Sequence, residues 1–518
     1  MRGGHNKNIK RALFEDMGVI ARQSIKGALA NYIGVAIGFF VQFFIVTRYL
    51  TQEEVGLTRV MVDAAMLFSS LAMLGSNASI VRFFPYFKDR GGNHGIFGLS
   101  LLLPLAGFLL FGLVFLVFRE PLTAVYAAKS PLVADYFYLL PMITFFALYM
   151  TVFETNASVL LRITVPKMVR EVGLRVFNLA AYLLYGYRLI SLDLFVWLFC
   201  GSYALAMVLN LVYLISLGHI SFRVDWQFLT RERWREIGRY TLFMTATALA
   251  GNIPLINSLF LGAKAGAALT GVYAIAMYIS NVVEVPYRSL GAISRPVIAT
   301  AVKEDNLAEV NRLGRQVSLH QLLVSMAIFF FIWINLETLY AFIPNGASYA
   351  GGVGVVLLMG LAKVVNSSLS IGTDVLNYSR YYSRSLLFIA VLTASAIGLN
   401  SLLIGLWGID GAAAATLLSY MLYFLLLLGY LWWRMKVNLF SASQLKVLVL
   451  MAAGYGLNLL WTNMLTPIII PHPSRVALLV DAVLKTAVLA LLLAVAVYAW
   501  RVSPTVNSIV DRKLRKEK

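Results

Sequence analysis

Residues 411–433 read GAAAATLLSYMLYFLLLLGYLWW, a run of 23 residues without one charged side chain. About 20 apolar residues in a helix cross a hydrocarbon core of about 30 Å. Similar runs recur along the chain from Gly34 to Trp500. They do not alternate with period two as the strands of a membrane barrel do, and the bilayer offers no partner to a free backbone group. The sequence therefore predicts an all-α polytopic membrane protein.

The composition excludes a soluble protein. Of the 518 residues, 60% are hydrophobic and only 13% are charged, and the mean hydropathy is +0.78. Soluble domains contain about 45–50% apolar and about 25% charged residues. We expect no cleavable signal, because the polar and basic start of the chain leads directly into a full-length span. The lone cysteine, Cys200, lies inside an apolar run, which excludes a disulfide framework and a cysteine-based metal site.

The breaks between apolar runs predict fourteen spans. Helix ends read from a sequence are uncertain by several residues. The predicted spans are 24–47, 56–81, 96–118, 134–160, 169–188, 193–217, 238–261, 268–294, 317–343, 351–376, 384–405, 411–433, 445–466 and 476–500.

The basic residues predict the orientation of these spans. Of the 43 Lys and Arg residues, 32 fall on the side of the N-terminus and only six on the opposite side. Such an excess marks cytoplasmic loops. We therefore expect a bacterial inner-membrane protein with both termini in the cytoplasm. This topology explains the net charge of +19 better than a nucleic-acid partner does.

The chain divides into two halves of six predicted spans and a C-terminal pair. The second and eighth spans look alike, since each begins at a glycine (Gly56, Gly271) and runs to a Leu-Gly pair. Weak similarity between halves is typical of repeat-built transporters. The predicted segments are a cytoplasmic N-terminus (1–23), an N-lobe (24–217), a basic amphipathic inter-lobe segment (218–237), a C-lobe (238–433), the last two spans (434–500) and a basic cytoplasmic tail (501–518).

Three stretches carry a resemblance to a known family. They are the segment from Ser24 to Phe84, the short polar link from Leu376 to Arg384, and the stretch from Trp407 to Tyr420, WGIDGAAAATLLSY. In the third, a tight turn precedes a face of small residues that lets helices approach closely. The chain resembles the polysaccharide-export flippases of the MOP superfamily, the Wzx-type O-antigen and capsule transporters.

The resemblance implies a fold, a cycle and a cargo. The expected fold has two pseudo-symmetric six-helix lobes plus two C-terminal helices. The expected cycle is alternating access, in which a central cavity carries a polyprenyl-diphosphate-linked oligosaccharide from the cytoplasmic to the periplasmic leaflet for surface polysaccharide biosynthesis, including that of lipopolysaccharide. Membrane lipids and glycan assembly enzymes are the expected partners, and a monomer suffices.

Polar side chains form stripes on several predicted spans. A helix turns by about 100° per residue, so residues three, four, seven or eleven apart share a face. Charged groups within a span cost about 2.5–3.5 kcal/mol each and usually face a bundle interior or a wet cavity. The stripes lie on the second, eighth and tenth spans, with further polar residues on the first and fourth.

Cations and amides suit a diphosphate sugar, because Arg and Lys bind phosphate oxygens and amides bind sugar hydroxyls. The substrate-binding candidates are Arg288, Lys363, Arg59, Asn281, Asn77, Asn366, Gln42 and Asn31. The carboxylates are candidates for binding a coupling proton or sodium ion, namely Asp63, Glu284, Asp374 and Glu154. Transport driven by the membrane potential fits equally well, and no other cofactor is expected.

Each stripe also has a structural interpretation. Arg59–Asp63 and Glu284–Arg288 are four residues apart and can neutralise each other locally. Ser and Asn can serve as hydrogen-bonding contacts between helices. The pairs Glu171–Arg175 and Asp481–Lys485 favour a structural role.

Other functions remain as alternatives. A peptidoglycan-precursor flippase and a multidrug or cation antiporter share the superfamily. A membrane glycan polymerase or glycosyltransferase is disfavoured, because the predicted outer loops are short and carry one acidic pair, Glu53 and Glu54. The sequence has no glycine-rich phosphate loop and no cluster of metal-ligand residues, so we expect a transporter and not an enzyme.

Overall fold

The computed structural model of the chain describes residues 30, 33–87, 93–218, 223–248, 253–469 and 474–516. All regular structure in these ranges is helical. The longer helices are α1 (Ile33–Tyr49), α2 (Gln52–Ala72), α3 (Ser76–Phe87), α4 (Ile96–Ala127), α5 (Pro131–Val159), α6 (164–186), α7 (Leu192–Ser216), α8 (Arg231–Ala248), α9 (Ile253–Lys264), α10 (267–303), α11 (Leu307–Ile334), α12 (Leu336–Phe342), α13 (Val353–Tyr378), α14 (Ser385–Met435), α15 (Ala442–Met464), α16 (Arg475–Ala499) and α17 (Pro504–Lys516).

The helices have the length and surface of membrane spans. Ten helical stretches of the described ranges are long and apolar enough to cross a bilayer. Only 17% of the most apolar stretch of α4 is buried, and Leu109, Leu113 and Leu116 on it are exposed. An apolar helix with an apolar exposed face is suited to lipid and not to water. The predicted all-α polytopic class is confirmed, while the number of fourteen crossings stays a prediction.

The observed helix boundaries differ from the predicted span boundaries at two places. The predicted span 56–81 is two helices, α2 and α3, because the chain turns at Leu74 and Gly75, where φ is 48° and 67°. A Cβ at Gly75 would lie 2.5 Å from the carbonyl oxygen of Thr241, so a larger residue does not fit. The predicted spans 384–405 and 411–433 both lie in α14, which kinks at Gly408 (φ 55°, ψ −127°). The start of the span 24–47 lies outside the described residues.

The predicted small-residue face follows the Gly408 kink. Gly411 packs so closely that a Cβ there would lie 2.0 Å from the carbonyl oxygen of Leu403. The next residues, Ala412 to Ala415, are buried. Small side chains allow backbones to approach in the way that the sequence predicts for this motif.

The chain forms two compact units, residues 1–271 and 272–518. The division falls after Gly271 and not within the predicted inter-lobe segment 218–237. The reason is that α9 packs on unit 1: Tyr126 donates a hydrogen bond to the carbonyl oxygen of Leu259 (3.0 Å), and Ser130 to that of Gly262 (2.6 Å). The predicted lobe boundaries stay predictions.

Within unit 1, the two glycines that open the similar spans meet each other. A Cβ on Gly56 would lie 1.8 Å from the carbonyl oxygen of Ala267, and one on Gly271 would lie 2.1 Å from that of Gln52. The start of α10 therefore packs backbone to backbone against the start of α2. Only residues without a side chain allow this approach.

The predicted inter-lobe segment is tied to unit 1. His94 Nδ1 lies 3.0 Å from Asp225 Oδ2, and the imidazole stacks on the Phe228 ring at 3.9 Å. Hydrogen bonds from His94 and from the backbone N–H of Phe228 hold the pKa of Asp225 below its ordinary value. Trp226 stacks on Trp234 of α8 with ring centroids 6.4 Å apart, as suits an amphipathic segment.

Within unit 2, the last helices are fastened through a buried charge pair. Lys485 of α16 donates to the carbonyl oxygen of Ile334 (2.8 Å) and lies 3.9 Å from Asp481. Asp481 also accepts a hydrogen bond from the Trp461 indole of α15 (2.8 Å). These contacts join α11, α15 and α16, in agreement with the structural role expected for this pair.

The predicted basic tail contains a helix, α17. Asn507 donates to the carbonyl oxygen of Tyr498 (2.7 Å), and Gln316 of α11 donates to Thr505 (3.1 Å). From its composition this segment is only a charged tail, and composition does not reveal the hydrogen bonds that hold the helix.

The Gly56–Gly271 contact predicts a position-specific loss of stability. Gly271→Leu places a side chain on the backbone of Gln52, and overpacking of this kind costs about 1–3 kcal/mol. We expect a lower melting temperature and less monodisperse protein in detergent. Gly201→Leu in α7 is the control, because a Cβ there meets open space. Equal melting temperatures for the two variants would contradict the close approach.

Candidate functional site

Unit 2 joins three of the sequence-predicted residues in one cluster. Lys363 Nζ of α13 lies 3.0 Å from Glu284 Oε2 of α10, and the side chains are 6% and 12% exposed. Asn366 Nδ2, one turn further along α13, donates to Glu284 Oε1 (2.9 Å). A tight 3₁₀ turn, Val282–Glu284, interrupts α10 at this point. The cluster is a buried ion pair with an amide as its third member.

A second ion pair joins the same two helices. Arg295 Nε of α10 lies 3.2 Å from Asp374 Oδ2 of α13, and Arg295 Nη2 donates to the Tyr287 hydroxyl (2.8 Å). The sequence indicates Asp374 but misses Arg295, which sits just after the predicted eighth span and resembles a topogenic loop arginine.

In unit 1 the pair Arg59–Asp63 forms as the four-residue spacing predicts. Arg59 Nε lies 2.6 Å from Asp63 Oδ2, with side-chain exposures of 13% and 4%. Ser258 of α9 also donates a hydrogen bond to Asp63. The carboxylate therefore neutralises a cation on its own helix and ties α2 to α9.

Glu154 also has a partner that the sequence does not reveal. Arg170 Nε of α6 lies 2.7 Å from Glu154 Oε2 of α5, and Arg170 Nη2 donates to Thr151 (2.8 Å). The charge count treats Arg170 as a loop residue because it is only the second residue of the predicted fifth span (169–188), whereas α6 already begins at residue 164. The pair Glu171–Arg175 forms as expected, at 3.2 Å.

The remaining candidates are more scattered. Asn77 lies on α3, so the break after α2 separates it from the stripe of Arg59 and Asp63; its buried Oδ1 has no hydrogen-bond partner in the described part of the chain. Gln42 is half-buried in the π-helical turn Val41–Val46 of α1, and Asn281 is half-buried on α10. Two further candidates fall outside the described residues, namely Asn31 and the side chain of Arg288.

All four carboxylates named as coupling candidates are thus held in ion pairs. Such pairing is expected, because an isolated charge in a low-dielectric interior costs several kcal/mol. The arrangement can exchange partners: an anionic ligand can replace a carboxylate beside a cation, and a proton or small cation can then neutralise the released carboxylate. Among the described residues, no three His, Cys, Asp or Glu side chains are grouped so as to hold a metal ion.

The chain has recognisable relatives in sequence and in fold. The family model "Polysaccharide biosynthesis protein" matches residues 21–298. None of the curated proteins matches the sequence significantly. Among solved structures, the lipid II flippase MurJ in an inward closed conformation has 11% identity and a TM-score of 0.68, over 92% of this chain and 100% of that one.

Multidrug transporters share the fold more distantly. An inward-facing MATE-family transporter of the MOP superfamily has 18% identity and a TM-score of 0.57, over 81% of this chain and 98% of that one. A Vibrio cholerae MATE transporter has 14% identity and a TM-score of 0.50, over 82% and 99%. At these identities the likeness shows the fold, and the predicted MOP-superfamily flippase fold is confirmed.

The Arg59–Asp63 pair predicts a non-additive double mutant. Arg59→Met removes the cation beside a buried carboxylate, and breaking such a pair costs about 3–5 kcal/mol. The double variant Arg59→Met/Asp63→Leu leaves no unpaired charge, so we expect it to melt closer to the wild type. Thermal unfolding in detergent measures both, with Arg119→Met on exposed α4 as the control. A double variant less stable than Arg59→Met would argue against mutual neutralisation.

Proposed function

This chain belongs to the polysaccharide biosynthesis protein family, and on that premise we propose that it flips a lipid-linked oligosaccharide across a bacterial inner membrane. The cargo would be an oligosaccharide on polyprenyl diphosphate, moved from the cytoplasmic to the periplasmic leaflet by alternating access. Both termini would then lie in the cytoplasm, as the charge asymmetry predicts. The proposed activity is transport without covalent chemistry, so the chain is not an enzyme.

The observation that supports this proposal best is the cluster of Lys363, Glu284 and Asn366. An ionisable pair buried in membrane-spanning helices is costly and usually marks a substrate or ion pathway. The transported diphosphate carries negative charge, which a lysine ammonium can bind as a point charge. We propose that Lys363 and Arg288 bind the diphosphate and that Arg59 is a further cation for the cargo. The sugars would find polar contacts at Asn366, Asn281, Asn77, Gln42 and Asn31.

Binding at Lys363 requires an exchange of partners. In the structure the ammonium is paired with Glu284, so a phosphate oxygen must take the place of the carboxylate. The exchange keeps the lysine neutralised at every stage, which avoids the cost of a buried unpaired charge. Phosphate oxygens form strong charge-assisted hydrogen bonds, so they compete well with a single carboxylate.

The same exchange offers a route to energy coupling. Glu284 loses its counter-charge when Lys363 binds the substrate, and a proton or sodium ion can then neutralise it. Asp63, Asp374 and Glu154 are further coupling candidates, since each is an ion-paired carboxylate that a local rearrangement can release. The membrane potential alone is the alternative source, because it acts directly on the charged cargo.

A lipid II flippase is the second candidate function. The observation in its favour is that the fold of MurJ covers 92% of this chain. A multidrug exporter, the function named for the MATE structures, is disfavoured because a cationic drug would be repelled by Lys363 once Glu284 is engaged elsewhere.

A deletion strain distinguishes these functions. We expect loss of the protein to cause polyprenyl-diphosphate oligosaccharide to accumulate in the cytoplasmic leaflet while lipid II transport continues. Extraction of the lipid-linked intermediates, with surface-glycan blotting, measures the outcome. Accumulation of lipid II would favour the second candidate, and drug hypersensitivity with normal glycans would favour an exporter.

Exchanging the two charges of the Lys363–Glu284 pair is predicted to preserve folding but not export. Glu284→Lys/Lys363→Glu preserves the ion pair but moves the cation from α13 to α10. If the lysine acts on an anionic cargo from α13, we expect this double variant to fold normally and export at most about a tenth of the wild-type glycan. Lys363→Ala is expected to lose export as well, and Lys363→Arg to keep part of it.

The controls separate stability from transport. Expression and melting temperature should stay close to the wild type in the exchanged variant, since the buried charges remain paired. Arg188→Ala, at an exposed position just after the end of α6, removes one cation and is the matched control. Full export by the exchanged variant would assign the pair a structural role. Full export by Lys363→Ala combined with Arg288→Ala would remove both cations from the proposed mechanism.

A further inference from the structure

A π-helical turn, Val169–Gly173, interrupts α6 in unit 1. The backbone N–H of Leu174 there donates to the carbonyl oxygen of Val169, five residues back. Turns of this kind are rare and occur frequently at functional sites. In a regular α-helix, Arg170 and Arg175 would lie about 140° apart around the axis. The wider turn needs one more residue to complete, so it brings the two arginines nearer to one face of α6.

Both arginines are paired with carboxylates, but their hydrogen bonding is incomplete. Arg170 lies against Glu154 through Nε, and its Nη2 donates to Thr151. Arg175 Nη2 donates to Glu171 at 3.2 Å, which is longer than the distance of about 2.7–2.9 Å that is typical of charge-assisted bonds. Arg175 Nη1 is buried and has no hydrogen-bond partner within the described ranges. Since a guanidinium has five N–H donors, Arg175 has donors left for a ligand.

The neighbouring helix α1 leaves room for the Arg175 side chain. A Cβ on Gly38 would lie 2.9 Å from Arg175 Nη1, and one on Gly34 would lie 2.5 Å from the carbonyl oxygen of Glu171. Two glycines four residues apart share a face of α1 and allow it to approach α6 closely. The side chains of Arg170 and Arg175 are still 28% and 33% exposed, so a ligand can reach both.

The arginines lie along α6 at the level of lipid phosphates. The charge asymmetry predicts that α6 begins at the cytoplasmic side, and Arg170 is the second residue of the predicted span 169–188. It therefore lies where the headgroups meet the hydrocarbon, and Arg175 lies about 7.5 Å deeper. Asn178 follows three residues further on, and its buried Oδ1 has no hydrogen-bond partner in the part of the chain that the structure describes. Two cations and an amide acceptor thus follow one another inwards from the leaflet.

We propose that Arg170 and Arg175 bind the diphosphate of an isoprenoid-linked saccharide as it enters from the cytoplasmic leaflet, before the Lys363 cluster receives it. Guanidinium groups bind phosphate oxygens through two parallel hydrogen bonds. Two of them suit two phosphate groups, whereas a phospholipid of the leaflet offers one. The Asn178 amide can accept a hydrogen bond from a sugar hydroxyl. This loading site rests on the proposed function, and it adds an entry point to the transport site of unit 2.

Binding at this site displaces carboxylates from the arginines. A phosphate group offers Arg175 the paired hydrogen bonds that its single contact with Glu171 lacks. Glu154 and Glu171 then lose their counter-charges, and a proton or a small cation can neutralise each of them. The carboxylates therefore compete with the ligand. Removing them strengthens binding if the arginines form a ligand site, and does not do so if the arginines only fasten helices.

The test measures binding to the purified full-length protein in detergent by isothermal titration calorimetry. The probe is farnesyl diphosphate, and farnesyl monophosphate and phosphatidylglycerol are the comparison ligands, because each carries a single phosphate. All variants are made in a background protein that carries Lys363→Ala and Arg288→Ala. The transport site of unit 2 then does not contribute to the measured affinity.

Three sets of substitutions separate the roles of the charges. Arg170→Gln/Arg175→Gln removes both cations. The same change combined with Glu154→Gln/Glu171→Gln leaves no unpaired charge, so that poor folding of the first variant does not decide the result. Glu154→Gln/Glu171→Gln alone keeps both cations and removes their competitors.

The expected result is a diphosphate-selective site that depends on both arginines. Farnesyl diphosphate should bind the background protein about tenfold more tightly than either comparison ligand, because the second phosphate adds charge-assisted hydrogen bonds. Both variants without the arginines should bind it about tenfold more weakly, and the variant without the carboxylates about threefold more tightly. Arg162→Gln/Lys167→Gln is the control. It removes two cations beside the start of α6 and should bind like the background protein.

Four results would overturn the proposal. They are the absence of binding to the background protein, unchanged affinity in the variant that lacks all four charges, no gain when the carboxylates are removed, and equal affinity for a ligand with one phosphate. Equal binding of phosphatidylglycerol would identify an ordinary phospholipid site. The proposed function fails separately, if a strain without the protein exports its glycan normally. Binding of farnesyl diphosphate by a background protein that does not export glycan distinguishes loading from transport through Lys363.

Discussion

A charge inside the hydrocarbon has no water to solvate it, and this constraint organises both halves of the protein. Each buried charged side chain therefore forms an ion pair or a hydrogen bond, often with a residue of another helix, and these contacts fix how the helices pack. The absence of water also strengthens each ion pair. A few such contacts can therefore hold long helices together, although the hydrophobic effect does not drive helices to associate within lipid. The contacts that join helices in this way are Glu284–Lys363 and Arg295–Asp374 (α10 to α13), Glu154–Arg170 (α5 to α6), Asp63–Ser258 (α2 to α9) and Lys485 to the Ile334 carbonyl (α16 to α11).

The same pairing changes the meaning of a buried cation. From the sequence alone, Lys363 is interpreted as an unpaired charge that binds an anionic ligand. In the structure Glu284 already neutralises it. A transporter gains from this arrangement, because a permanently unpaired lysine would destabilise every substrate-free state. The affinity for an anionic ligand is then a difference between two pairings and not the full strength of one. Moderate affinity suits a carrier that must also release its cargo.

Hydropathy and helical phase predict most of the fold and about half of each polar cluster. The spans follow because uncharged runs such as 411–433 have one physical solution in a bilayer. Glu284, Lys363 and Asn366 follow because they share faces of their helices. Arg170 and Arg295 could not be predicted in the same way. Both lie near span ends, where a basic residue satisfies the positive-inside rule, so composition cannot separate an orienting arginine from one that bends inward to a carboxylate.

The two ion pairs between α10 and α13 have a spacing that reconciles stability with exchange. Glu284 and Arg295 are eleven residues apart, and so are Lys363 and Asp374, which is about three helical turns, or about 16 Å. The signs are reversed between the pairs, so sliding one helix by this spacing would bring Glu284 opposite Asp374. Like charges in a low dielectric repel strongly, and the register of the helices is thereby fixed. In the proposed mechanism, the Arg295–Asp374 pair holds the register while Lys363 exchanges Glu284 for an anionic ligand, so α10 and α13 stay together. The proposal thus gives the two pairs separate roles, one in binding the cargo and one in keeping the helices in register, which a single pair could not combine.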